Sequence, residues 1–169
     1  MSIAIPTLDP RRDLVLEREI DVPRHLVWAA WTEPERLKRW FTPAPWQTVA
    51  CEVDLRPGGL FRTVMRSPEG VDQPPALGCY LEVVPQEKLV WTTLLEPGFR
   101  PASAIDGDNG CHGLQFTAII ALEDHGKGTR YRAIAMHPDA ASSRRHEELG
   151  FHEGWGATLD QLVALYRNP

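Results

Sequence analysis

Between Gln47 and Met136 short runs of alternating apolar and polar residues follow one another, separated by Pro/Gly turns, with no helical period between them. Alternation sends successive side chains to opposite faces, so these runs read as half-buried strands joined to antiparallel neighbours. The spacing predicts strands near 47–55, 60–66, 77–84, 88–95, 114–123 and 129–136. Turns fall at Arg56-Pro57-Gly58-Gly59, Ser67-Pro68-Glu69-Gly70, Pro85-Gln86-Glu87 and His125-Gly126-Lys127-Gly128. A further strand precedes them: Leu14, Leu16, Ile20 and Val22 share one face and Glu17, Glu19 and Asp21 the other. About seven antiparallel strands with one apolar face need a cover, and the nature of that cover decides the fold.

Two places in the chain supply it. Pro23 opens a helix, since its missing N–H costs nothing in a first turn, and Leu26, Val27, Ala30 and Trp31 follow at helical spacing. Thr32-Glu33-Pro34-Glu35 has the form of a capping box and predicts a second short helix burying Leu37, Trp40 and Phe41. After His137-Pro138 the period is helical again, with Trp155, Leu159, Leu162, Val163 and Tyr166 in one stripe. The expected architecture is α+β: a loose N-terminal arm over 1–12, then one domain over 13–169. In that domain a long C-terminal helix lies across the concave face of a curved antiparallel sheet. Gly150, Gly154 and Gly156, each worth about 1 kcal/mol against a helix relative to Ala, imply close backbone contact, a kink, or room for something bound. Glu96 to Gly113 is too long for a hairpin and rich in Gly, Pro, Asp and Asn, so it predicts an excursion over the surface or across a cavity mouth.

Composition narrows the function classes. With 169 residues, 43% of them hydrophobic, the chain buries a core without disulfides or a structural metal. A net charge of −5 and the lack of a dense Lys/Arg patch argue against a nucleic-acid partner. The longest apolar run, Ala118 to Leu122, is far too short for a membrane span. MSIAIPTLDPRR places its charges after a weakly apolar stretch, the reverse of a secretory signal, so a cytoplasmic location is expected. Cys51, Cys79 and Cys111 form no Cys-x-x-Cys pair, which fits that compartment.

No motif carries a cofactor or a metal. His146 and His152 are six apart, about 120° off a common helix face, and Gly150 stands where a zincin needs its second His. They read as helix-surface histidines. Asp106-Gly107-Asp108-Asn109-Gly110 lacks the central Gly and terminal Glu of a calcium loop and reads as a solvated turn. Gly126-x-Gly128 precedes a strand, so it cannot set a phosphate on a helix N-terminus. There is no Gly-x-Ser-x-Gly elbow, and Cys111-His112 are sequence neighbours that point apart in extended chain.

Alternation predicts instead an inward face. Arg62 and Arg66 leave Phe61, Thr63 and Met65 opposite them, and Arg130 and Arg132 leave Tyr131, Ala133, Ala135 and His137. Phe116, Ala118, Ile120, Trp91 and Leu95 extend this wall, which Trp155 and Leu159 face from the helix. The ligand-lining set is Phe61, Met65, Trp91, Phe116, Tyr131, His137, Trp155 and Leu159, and the small Ala118, Ala133 and Ala135 favour a void among them. His137, at the end of an inward face, and Tyr131 are the acid–base candidates.

Five segments in order resemble one family: Ala-Trp-Thr-Glu-Pro-Glu-Arg-Leu at 30–37 with Trp40, Asp-Leu-Arg-Pro-Gly-Gly at 54–59, Gly-Cys-Tyr-Leu-Glu-Val-Val-Pro at 78–85, Gly-Thr-Arg-Tyr at 128–131, and His-Glu-Glu-Leu-Gly-Phe-His-Glu-Gly-Trp at 146–155. The chain is similar to proteins related to the activator of the ninety-kilodalton heat-shock protein ATPase, within the START-like (SRPBCC) superfamily. The resemblance implies a helix-grip fold with a cavity between sheet and C-terminal helix, and a small hydrophobic or aromatic molecule bound there. A cyclase- or isomerase-like enzyme using the same cavity, and a chaperone-interaction module, are the alternatives that it leaves open. The outward Arg62/Arg66 face offers a surface for a homodimer.

Overall fold

The computed structural model describes residues 3–103 and 114–167. Its strands β1 (Asp13–Ile20), β2 (Gln47–Val53), β3 (Leu60–Arg66), β4 (Ala76–Val84), β5 (Lys88–Thr92), β8 (Thr117–His125) and β9 (Gly128–Met136) form one curled antiparallel sheet in the order β1-β9-β8-β5-β4-β3-β2. Two short strands, β6 (Leu95–Glu96) and β7 (Arg100–Pro101), pair with each other. The chain adds α1 (Arg24–Thr32) and α2 (Pro34–Leu37) between β1 and β2, and ends in α3 (Ala140–Glu148) and α4 (Phe151–Arg167). This is the helix-grip arrangement, with Leu159, Leu162 and Val163 of α4 in the same core as Tyr80, Trp91, Ile120 and Tyr131 of the sheet.

The strand bounds agree with the alternation to within a few residues, because Pro/Gly turns fix where each run stops. Five details differ. β5 ends at Thr92, and Leu95 lies in β6 instead of on the inward wall, as Thr92 Oγ1 accepts from Leu94 N–H and turns the chain away. The capping box does not form: Thr32 is still the last residue of α1, where its hydroxyl donates back to Trp28 O at 2.8 Å, and the N-cap of α2 is Glu33. Pro23 caps α1 from just outside it.

The single long C-terminal helix is two helices. Asp139 caps α3 by accepting from Ser142 N–H at 2.7 Å. Gly150, with φ +96°, separates α3 from α4 in a conformation that a side chain resists. Lastly, residues 3–12 form no helix or strand before Asp13 yet lie along the sheet's convex side. Ile5 and Leu8 pack on the Val90, Ile119 and Ile134 cluster, and Lys88 Nζ donates to Ala4 O at 2.9 Å.

Candidate functional site

Sheet register carries Phe61 of β3 to Gly78 of β4, and the adjoining pairs carry that row through Thr93 and Phe116 to His137, just beyond β9. All lie on the concave side, as alternation requires, and they divide into two groups of rings.

The first group is closed. Trp31 and Trp40 from the α1/α2 bracket meet Phe61, Tyr80 and Trp91 of the sheet, with Phe41 between. Centroid distances are 4.9 Å for Trp31–Trp40, 5.1 Å for Trp31–Trp91 and 5.4 Å for the stacked Phe61–Tyr80 pair. Trp31 Nε1–H donates to Tyr131 Oη at 3.2 Å, and Trp40 Nε1–H to Ala30 O at 3.0 Å, so these indoles are satisfied in place. Burial pushes the Tyr131 phenol well above its ordinary pKa. Tyr80 is fully buried, and its hydroxyl has no hydrogen-bond partner among the described residues. Burial raises it too. Cys51, inward on β2 opposite Thr63, is pushed up to about 11, chiefly by burial. Ala118 and Ala133 belong to this same core and are fully buried, so here small residues make space for rings.

The second group lies where β8 begins and β9 ends. Phe116 and Trp155 are half-buried with centroids 6.0 Å apart, and Phe151 lies 4.7 Å from Trp155. His137 stands beside them, buried, and its partner is His146 of α3. His137 Nδ1 is 2.8 Å from Arg12 O, and His137 Nε2 is 2.9 Å from His146 Nδ1. His146 is 4% exposed, which corrects its reading as a helix-surface histidine. Burial, followed by the charge of His137, lowers its pKa to about 4. The start of α3 at Ala140, legible in the cap residue Asp139, puts Ser143 and His146 one turn apart on the buried face. His152 lies on α4 and is exposed.

The predicted residues thus separate. Phe61, Trp91 and Tyr131 lie in the closed cluster, while Phe116, His137 and Trp155 meet at the other end. Leu159 is buried on the inner side of α4, and Met65 is half-buried four residues along β3 from Phe61. Tyr131 and His137 share a face of β9 but are about 20 Å apart along the strand, too far to act as one acid–base pair. Cys111, His112 and the 106–110 segment fall outside the described residues. Among the described residues, two of the clefts lie on the outer surface. The larger, of about 530 Å³, has its arginines engaged, Arg18 with Asp160 at 2.6 Å and Arg167 with Asp21 at 2.7 Å. Neither includes the predicted lining residues. No described helix is long and apolar enough to cross a membrane.

A curled seven-stranded antiparallel sheet closed by a long C-terminal helix defines a START-like helix-grip domain, a fold suited to holding ligands. By its match over residues 21–167, the chain belongs to the family of activator of Hsp90 ATPase homolog 1-like proteins. It is similar to a Nitrosomonas europaea protein of known crystal structure, with 48% identity, 95% of this chain and 97% of that one covered, and a TM-score of 0.85. A Rhodobacter sphaeroides protein (18% identity, coverage 96% and 97%, TM-score 0.78) and an Arthrobacter aurescens protein (20%, 99% and 92%, 0.76) share the fold. No curated protein matches the sequence.

Proposed function

We propose that this domain binds a small hydrophobic or aromatic molecule between the sheet and α4, at the end of the grip that holds Phe116, Trp155 and His137. One observation carries the reading: the deep rings pack against one another, whereas Phe116 and Trp155 are left half-buried beside a buried, hydrogen-bonded histidine pair. Apolar walls with one polar handle are what a ligand site of this kind requires. Gly154 and Gly156 of α4 agree with it, as a Cβ added at either meets nothing within 4 Å.

A saturable ligand of the folded state stabilises it by RT ln(1 + [L]/Kd), about 2.7 kcal/mol at a hundredfold excess over Kd. A panel of lipids and aromatic compounds is therefore expected to raise the melting temperature and quench tryptophan fluorescence, with Trp155→Phe removing most of the quench. Melting curves that none of the panel moves, together with a native mass spectrum showing bare protein, sink the reading. Catalysis at the same place is the second reading. The His137–His146 pair favours it, since a buried neutral imidazole is a usable proton acceptor. Turnover lost in His146→Gln, with ligand binding kept, is its expected signature.

A further inference from the structure

We infer that the free edge of β1 is a docking site for an extended peptide of a partner protein, which adds to the sheet as an antiparallel strand carrying lysine or arginine opposite Glu17 and Glu19. This surface is separate from the end of the grip proposed above to hold a ligand. The seven-stranded sheet has two edges, β1 and β2. β2 is interrupted by a register shift between Thr48 and Ala50, a bulge of the kind that blunts an edge. β1 keeps one register with β9 over eight residues, Asp13 to Ile20. Which of its backbone groups are free follows from where the ladder starts. His137 N–H donates to Arg12 O at 3.1 Å, so the pair just before Asp13 and Met136 is a bonded one, and in an antiparallel ladder every second pair from there is bonded too. Leu14, Leu16, Arg18 and Ile20 therefore turn their backbone groups to β9, and Val15, Glu17 and Glu19 turn theirs outward. These outward N–H and C=O groups have no hydrogen-bond partner among the described residues. Such a row is a template for another strand.

The side chains along the edge specify what fits it. On the convex face charge alternates from strand to strand in register: Glu123 of β8, Arg130 of β9 and Glu19 of β1, with Arg130 3.8 Å from Glu123 and 3.6 Å from Glu19. Two residues along, Arg132 of β9 is 3.0 Å from Glu17, and His125 adds a 3.1 Å contact to Glu19. The alternation stops at β1 on two exposed carboxylates, and a carboxylate has lone pairs for a further donor on its open side. The strand that continues it is basic at two positions, two residues apart. The cleft of about 530 Å³ lies at the same edge: four consecutive residues, Arg18 to Asp21, line it together with residues of α4, so it opens beside the strand instead of on one face. Ile20 and Val163, both buried, are among its walls, so the peptide residue opposite Ile20 is apolar. A second copy of the chain fits poorly. Twofold pairing of β1 with itself about Leu16, Glu17 or Arg18 sets Asp13 against Glu19, Glu17 against Glu17, or Glu17 against Glu19, acid opposite acid each time.

The probe is a fluorescein-labelled peptide, Thr-Val-Lys-Thr-Lys-Val-Thr, whose lysines fall opposite Glu17 and Glu19 and whose valines fall opposite Leu16 and Ile20. Fluorescence anisotropy at low salt is expected to give a saturable titration. The peptide with glutamate in place of both lysines should bind about tenfold more weakly, since two cross-strand attractions become repulsions. Glu17→Gln combined with Glu19→Gln should remove most of that preference. N-methylation reads the backbone: methyl groups on the two lysine nitrogens, which face β1, should abolish binding, whereas one on the central threonine nitrogen, which faces away, should not. Amide hydrogen exchange locates the contact. In the free protein the Glu17 and Glu19 amides should exchange fast beside slow Leu16 and Arg18 amides, and the lysine peptide should slow them. Binding indifferent to methylation of the lysine nitrogens, or no binding with both amides unchanged at millimolar peptide, overturns the inference. Protection of those amides that grows with protein concentration and without peptide overturns it as well, because a second copy then covers the edge. None of these results bears on the ligand reading, which the melts with apolar compounds test.

Discussion

At the scale of single residues, a histidine buried among rings makes folding depend on acid. His146 has an ordinary pKa near 6.5, to which it returns on unfolding, and about 4 in the fold, because burial disfavours its charged form and His137 adds to that. Between those values the unfolded chain binds more protons than the folded one, so stability rises with pH through this window. It is fully present above about 6.5 and lost as pH falls towards 4, by on the order of 3 kcal/mol. Asp139 at the cap of α3 senses His137, but its carboxylate titrates lower still, held down chiefly by hydrogen bonds from Ser142. Urea denaturation at pH 7, 6, 5 and 4.5 is expected to show this acid limb, and His146→Gln to flatten it. An unchanged limb in that variant would move the titrating group elsewhere. Tyr80 illustrates the opposite limit, a buried hydroxyl that no pH in the working range ionises and that no described group satisfies.

At the scale of elements, glycines on α4 separate geometry from room. Gly150 ends one helix and lets the next begin at φ +96°, so Gly150→Ala should cost about 1–2 kcal/mol. Gly154 is inside α4, in helical conformation, and its missing Cβ would meet nothing within 4 Å. Gly154→Ala should therefore stabilise the domain by about 0.5–1 kcal/mol through propensity alone. Thermal melts of the two variants should move in opposite directions; two melts that move together would refute the assignment. The same contrast shows what was legible in the sequence. Strands were, because a two-residue period bounded by Pro/Gly turns has few alternative readings, and the inward side of β9 followed from Arg130 and Arg132. The α3/α4 break was only half legible: the glycines were visible, but a turn at Gly150 and an open flank at Gly154 look alike in a sequence. His146 was missed because its neighbours Glu147 and Glu148 advertise a solvated face, whereas burial follows from where α3 crosses the end of β9. No local pattern records that crossing. Nor does one record Gln161, which donates to Trp40 O and Thr42 O and accepts from Ala44 N–H, fastening α4 to the α2–β2 connection.

At the scale of the whole molecule, both faces of the sheet need covering, and the helices cover one. The concave face has α1, α2 and α4. On the convex face Val90, Ile119 and Ile134 are buried, and Ile5 and Leu8 of the N-terminal stretch pack there with Val15, Leu81 and Met136. Lys88 closes the arrangement, its ammonium shared between Ala4 O at 2.9 Å and Glu82 at 2.8 Å. The same stretch also reaches the candidate site, because the carbonyl 2.8 Å from His137 Nδ1 belongs to Arg12. Removing residues 1–8 should thus uncover apolar surface without touching any strand, at a cost of about 2–4 kcal/mol for two partly buried aliphatic side chains and one ammonium bond. The truncated protein should unfold at lower urea with a nearly unchanged slope. It should also associate at concentrations where the full chain does not, as the bared convex patch seeks a new cover. Stability equal to that of the full chain would show that the stretch merely rests on the sheet.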